Sequence, residues 1–203
     1  MVMTKHLLIV DLEATCWDGD VPGLNRRQTV EDMEVIEFGC VVAEPDGTVL
    51  DTQSFLVRPV LRPQLSAFCT ELTGITQQQV AVAPVYAEVV QAIDAWLAAY
   101  EPVCWASWGD YDRHQLDAER QHHGCAPAFM ALPHKNLKQL WREGRAAKRR
   151  SGLQAALAFH GLVFEGRYHR GIDDARNMAR LLPWIPCNTL GFNNSTVSGI
   201  SKK

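Results

Sequence analysis

The sequence predicts an α/β or α+β domain built around one mixed sheet, and two observations predict it. Three strand-like runs, 7–15, 35–43 and 49–57, come first, and the remainder alternates helical patterns with a further buried apolar run. A chain of 203 residues, 47% hydrophobic and 21% charged, suits one globular domain with an ordinary core. The expected domain runs over 1–187, and 188–203 reads as a disordered tail rich in Asn, Ser, Thr and Gly.

The elements follow from local patterns. Leu7-Leu8-Ile9-Val10 opens the first strand, and Pro45-Asp46-Gly47 joins the second and third runs closely enough for an antiparallel hairpin. Residues 18–32 form a long polar loop containing Gly19, Pro22 and Gly23. Leu65, Phe68, Cys69 and Leu72 fall at helix spacing before Thr73-Gly74, and Val89, Ile93, Trp96 and Leu97 form the apolar stripe of a longer helix over 85–100. Residues 102–108 read as a fourth, buried strand. A helix over 112–123 stops at Gly124, and 136–141 holds a short element. Ser151 is expected to cap a helix over 152–160, and a last helix over 173–182 closes at Pro183.

Composition excludes several classes. No apolar run is long enough to span a bilayer, and Asp11 cuts the first one too short for a signal peptide. Six scattered cysteines without metal-finger spacing suggest reduced thiols and a cytoplasmic protein, with no disulfide or structural zinc. A formal net charge of −3 argues against a protein that coats nucleic acid through a broad basic face. The cluster Arg142, Arg145, Lys148, Arg149 and Arg150 reads first as a solvated face.

The chemistry-bearing residues lie at element ends. On a strand, Asp11 and Glu13 project from one face while Leu12 points into the other. Two carboxylates side by side repel unless a cation separates them, and a hard divalent ion such as Mg²⁺ or Mn²⁺ suits an all-oxygen site. Asp110 and Asp112 stand where the fourth strand gives way to a helix, and His169, Asp173 and Asp174 open the last helix. Asp173 reads as a helix-start residue. His6, His114, His122, His123, His134 and His160 read as structural.

Asp-x-Glu on the first strand, an aspartate just after the fourth, and His169-x-x-x-x-Asp174 together resemble the DEDDh 3′-to-5′ exonucleases, over 7–182. Asp-Leu-Glu-Ala-Thr-Cys, Ile36-Glu37-Phe38-Gly39, Leu72-Thr73-Gly74-Ile75 and His-Arg-Gly-Ile-Asp-Asp-Ala-Arg-Asn are similar to the Eri1-type and KapD-like branch. The DEDDy branch would place tyrosine where Arg170 stands. The resemblance implies a ribonuclease H-like three-layer α/β fold, with a central mixed five-stranded sheet flanked by helices. It also implies two divalent cations, Mg²⁺ or Mn²⁺, held by Asp11, Glu13, Asp112 and Asp174, with His169 as general base. Asp112, followed by Gln115-Leu116, fits the middle ligand better than Asp110, which remains the alternative.

The implied reaction is hydrolysis from a free 3′ end, RNA favoured over DNA, releasing 5′-nucleoside monophosphates. Ala14, Thr15, Leu72, Thr73, Gly74 and Ile75 would border the terminal nucleotide. Trp17 is a candidate for base stacking or for core packing. Arg26, Arg27 and the segment with Arg149 and Arg150 are candidates for upstream phosphates. Gly171 is expected to let the His169 loop move or approach substrate. Two other readings stand beside this one: a catalytically idle nucleic-acid-binding module of the same fold, and a phosphodiesterase acting on dinucleotides.

Overall fold

The computed structural model of the protein describes residues 6–143 and 152–192. Its strands are β1 (His6–Ala14), β2 (Val35–Ala43), β3 (Val49–Leu56), β4 (Pro102–Ser107) and β5 (His134–Asn136). Its helices are α1 (Ala67–Thr73), α2 (Gln77–Ala81), α3 (Tyr86–Leu97), α4 (Tyr111–His123), α5 (Leu137–Glu143), α6 (Leu153–Phe159) and α7 (Gly171–Ala179). The sheet order is β3-β2-β1-β4-β5. β2 runs antiparallel to both β1 and β3, while β1, β4 and β5 are parallel. The expected hairpin forms at 44–48, where Gly47 takes φ +92° and Glu44 and Thr48 close the turn.

Apolar alternation sorts the sheet's two faces. Leu7, Ile9, Val41, Cys104 and Ala106 pack under α6 and α7, with Ala175, Met178 and Ala179. Leu8, Val10, Leu12, Phe38, Cys40 and Trp105 pack on the other side, with Tyr86, Val89, Ile93 and Leu116 of α3 and α4. Helices on both faces of a mixed sheet make three layers, and β1 lies at the centre, buried on both sides.

Four expectations change. β5 is three residues long, too short for a periodicity to reveal. α7 begins at Gly171, two residues before the expected start, and Pro183 sits inside a 3₁₀ turn, Leu182–Trp184. α6 starts at Leu153 with Gly152 at its N-cap and no side-chain cap, and Ser151 lies outside the described residues. The packed domain extends past residue 187. Cys187–Leu190 forms a 3₁₀ turn, and Leu190 and Phe192 are buried in the α6/α7 core. Their two apolar side chains stand in an otherwise polar stretch, with Cys187 packed beside them and Leu190 C=O accepting from the Cys104 thiol. Residues 193–203 lie outside the described residues. No helix among the described residues is long and apolar enough to cross a membrane.

Candidate active site

The β1–β4 pairing ends at Ile9↔Ala106, so beyond that point β1 has no strand neighbour on one side. The open end creates a crevice at the C-terminal ends of two parallel strands, the usual ligand position in such sheets. Leu12 N–H, freed from the ladder on that side, donates to Asp112 Oδ1 at 3.0 Å. That bond fixes α4 against β1. The resulting cleft encloses about 490 Å³. Asp11, Glu13, Asp112, His169 and Asp174, drawn from three elements and one loop, all line it.

Asp11, Glu13 and Asp174 each bring an oxygen within 4.8 Å of the others. Asp112 stands outside that triad, with one oxygen given to Leu12 N–H, yet it is close enough to raise the pKa of Asp11. Asp112 is buried, whereas Asp110 is exposed, bonded to Asn136, and absent from the cleft wall. The geometry therefore favours Asp112 over Asp110.

Crowded anions in a buried setting resist ionisation. Burial, then Asp112, Asp174, Glu13 and Glu37, pushes Asp11 well above the ordinary carboxylate range. Glu13 rises to about 9, from burial first and then from Asp174, Glu37 and Asp112. Asp174 rises to about 7 through burial, against the pull of the His169 and Arg170 backbone N–H groups. Burial lifts Asp112 to about 6, and Leu12 N–H works against it. Asp174 Oδ2 is buried without any hydrogen-bond partner. A buried, unpartnered carboxylate oxygen within a cluster of hard anions fits a divalent cation, whose charge would reverse these shifts.

His169 sits in the loop before α7 with φ +63°, a left-handed conformation that costs a non-glycine residue about 1–3 kcal/mol. The loop is stapled to the helix. Asp173 accepts from Arg167 N–H at 2.9 Å, and Asn177 both accepts from Glu165 N–H and donates to Glu165 C=O. Asp173 is thus a structural brace, as its helix-start position suggested. Tyr168 stacks obliquely on the His169 ring, 4.1 Å between centroids, and burial lowers the His169 pKa. None of the other six histidines lines the cleft.

Gly171 belongs to the helix rather than to a swinging loop. A Cβ there would lie 2.8 Å from the Asp11 carbonyl oxygen, and one on Gly39 would lie 1.9 Å from the Gly171 carbonyl carbon. The two glycines let the first turn of α7 rest directly on the β1/β2 backbone, which carries Asp174 to Asp11.

The remaining expected contacts divide. Ala14 and Leu72 line the cleft. Thr15 is buried, its hydroxyl accepting from Glu34 N–H, and Thr73 bonds to Cys69 C=O and Ile75 N–H. Gly74 caps α1 at φ +72° and Ile75 is fully buried, so this segment supports the cleft from behind. Trp17 packs against the Ile36/Ile75 cluster with Arg62 5.5 Å above its ring. Arg26 is tied to Asp32 by two bonds of 2.6 and 2.9 Å, and Arg27 is exposed away from the cleft wall. Arg149 and Arg150 lie outside the described residues.

Sequence reasoning missed Gln28, Met33, Trp108, Tyr111 and Tyr168 as wall residues and placed Phe68 only at helix spacing, without a role. Phe68 is 37% exposed and faces the cleft with Leu72. Position beside Asp112 and His169 was the available signal for Tyr111 and Tyr168.

Known proteins resemble the chain in sequence and in fold. A family model described as an exonuclease, of the RNase T type, matches residues 8–182. ERI1 exoribonuclease 2 of Danio rerio is 33% identical over 87% of the chain, which spans 34% of that protein. The 3′-5′ exonuclease eri1 of Schizosaccharomyces pombe is 29% identical over 88% of the chain, which spans 67% of that protein. The nuclease domain of 3′hExo, a DEDDh family member solved bound to rAMP, superposes with a TM-score of 0.78 at 29% identity. That match covers 90% of this chain and 92% of the other. With the ribonuclease H-like sheet, the matched 8–182 span and these relatives in agreement, the chain belongs to the exonuclease family, in its DEDDh, Eri1-type division.

Proposed function

We propose that the protein is a divalent-metal-dependent 3′-to-5′ exonuclease that releases 5′-nucleoside monophosphates from RNA or single-stranded nucleic acid. The observation that carries this reading is the convergence of Asp11, Glu13, Asp112, Asp174 and His169 on one cleft, with an unpartnered buried oxygen on Asp174. Asp11, Glu13 and Asp174 would hold two Mg²⁺ or Mn²⁺ ions, with Asp112 completing the set. When bound, the ions supply an acidified water and positive charge for the leaving oxygen.

The chain's own groups do the rest. His169, with a lowered pKa, is neutral at pH 7 and accepts a proton from the attacking water at an imidazole nitrogen. As the P–O3′ bond breaks, the leaving 3′-oxygen takes up a proton from solvent, and His169 returns its own proton to solvent. Phe68 and Leu72 offer an apolar wall to the terminal base, and Ala14 borders the same nucleotide. Arg27, which is exposed, would meet an upstream phosphate more readily than Arg26, which is engaged by Asp32. The rAMP held by 3′hExo supports a ribonucleotide preference.

A panel of 5′-labelled RNA and DNA oligomers, single- and double-stranded, with Mg²⁺, Mn²⁺ or chelator, tests this reading. The expected result is a ladder shortening from the 3′ end, fastest on single-stranded RNA and abolished by chelator. Cleavage confined to dinucleotides, or binding without cleavage, would refute it.

A further inference from the structure

We propose that Glu37 is the positioning residue of the candidate base: its buried carboxylate clamps Arg170 and Gly171 and so fixes the His169 loop over the cleft. The inference rests on the reading of His169 as base.

Glu37 is fully buried on β2, directly opposite Glu13 in the antiparallel register. Cross-strand partners share a face, so its side chain emerges on the same side of the sheet as Asp11 and Glu13. It does not line the cleft, and its oxygens are spent elsewhere. Oε2 accepts from Gly171 N–H at 3.0 Å. Oε1 accepts from Arg170 Nη2 at 3.1 Å and from the Ser54 hydroxyl at 2.6 Å. Two of these three donors belong to the residues that immediately follow His169.

Placing another carboxylate beside an anion cluster is electrostatically unfavourable, and Glu37 does raise the pKa of Glu13 and Asp11. Its hydrogen bonds explain why it is tolerated. His169 holds a left-handed backbone conformation, and Arg170 returns to extended geometry before α7 begins. A backbone reversal of this kind needs the following residues fixed. Charge-assisted bonds to one backbone N–H and one guanidinium supply that. The Gly39–Gly171 contact adds a steric stop, so the loop is held by a wall on one side and an anionic clamp on the other.

Glutamine keeps the shape of Glu37 but puts an amide N–H₂ where a donor must be accepted, so one of the two clamped donors is lost. The test is a double-mutant cycle of Glu37→Gln and His169→Ala, reading kcat, KM and Mn²⁺ affinity by calorimetry. Glu37→Gln alone is expected to lower kcat about 10- to 100-fold, the scale of a misplaced reacting group, with KM and Mn²⁺ affinity nearly unchanged. In the His169→Ala background it should lower kcat no further, because the two residues act as one unit. An equal loss in both backgrounds, a parallel fall in Mn²⁺ affinity, or an unchanged kcat would overturn the clamp. Should Glu37→Gln fail to fold by circular dichroism, Arg170→Met breaks the ion pair at a partly exposed position and is judged by the same criteria. A wild-type rate in His169→Ala would instead remove the base reading, and the clamp with it. A reduced rate there beside an additive Glu37→Gln defeats the clamp alone.

Discussion

Three carboxylate oxygens within 4.8 Å of one another, in a site where burial is the largest influence on each group, store unfavourable energy in the folded chain. A raised folded-state pKa means that the folded protein binds protons more tightly than the unfolded chain. Stability of the metal-free protein should therefore fall as pH rises, from about 4.5 to about 9 for Glu13 and from 3.8 to about 7 for Asp174. Melting curves across this range should show that decline, and saturating Mn²⁺ should flatten it. Asp174→Asn should raise the metal-free melting temperature at pH 8 by about 2–4 °C, a gain of roughly 1 kcal/mol, while abolishing cleavage. A lower melting temperature would mean that Asp174 is a structural acceptor. At this scale the sequence was informative where spacing dictates geometry. Asp11 and Glu13 share a face because strands alternate, and His169 and Asp174 bracket a helix start. It was silent on Phe68, because helical periodicity places a side chain on a stripe without saying whether the stripe meets core or cleft.

Among the elements, α7 decides whether the site exists. Its first turn carries Asp174, follows His169, and lies on the backbone of Asp11 and Gly39. Gly39→Ala would place a methyl group 1.9 Å from the Gly171 carbonyl carbon, between two backbones that have no side chain to yield. The expected result is a loss of about 3 kcal/mol or more in denaturant unfolding, at the upper end of overpacking costs, together with loss of activity. A fully stable and active Gly39→Ala protein would show that α7 can lift off the sheet without consequence. The helix itself was readable as the segment over 173–182 before Pro183, but its start was not, since Arg170 provides no side-chain cap. β5 was unreadable from local pattern because three residues carry no period, and it is held by parallel pairing with Trp105, Ala106 and Ser107. The tail hid Leu190 and Phe192 for a related reason: two apolar side chains among polar neighbours dock tertiarily without any local signature.

Across the whole molecule, an excess of negative charge would have to meet the polyanionic substrate of the proposed reaction. With a net charge of −3 and Arg26 already paired, the proposed function requires affinity to arise at the 3′ end, from bound ions, the apolar wall of Phe68 and Leu72, and a few upstream cations. The three-layer fold suits this arrangement. The central strand is buried on both faces, the cleft opens where its parallel neighbour stops, and the loop carrying His169 is braced by α7. In the proposed reaction the carboxylates hold ions while His169 moves the proton, and one paired measurement separates these roles. Mn²⁺ binding by calorimetry and the rate of nucleoside monophosphate release from 5′-labelled single-stranded RNA are compared for wild type, Asp11→Ala and His169→Ala. Asp11→Ala is expected to lose both, and His169→Ala to keep Mn²⁺ affinity while its rate falls about 10²- to 10⁴-fold. Undiminished release by Asp11→Ala, or loss of Mn²⁺ affinity in His169→Ala equal to that in Asp11→Ala, would contradict this division of roles.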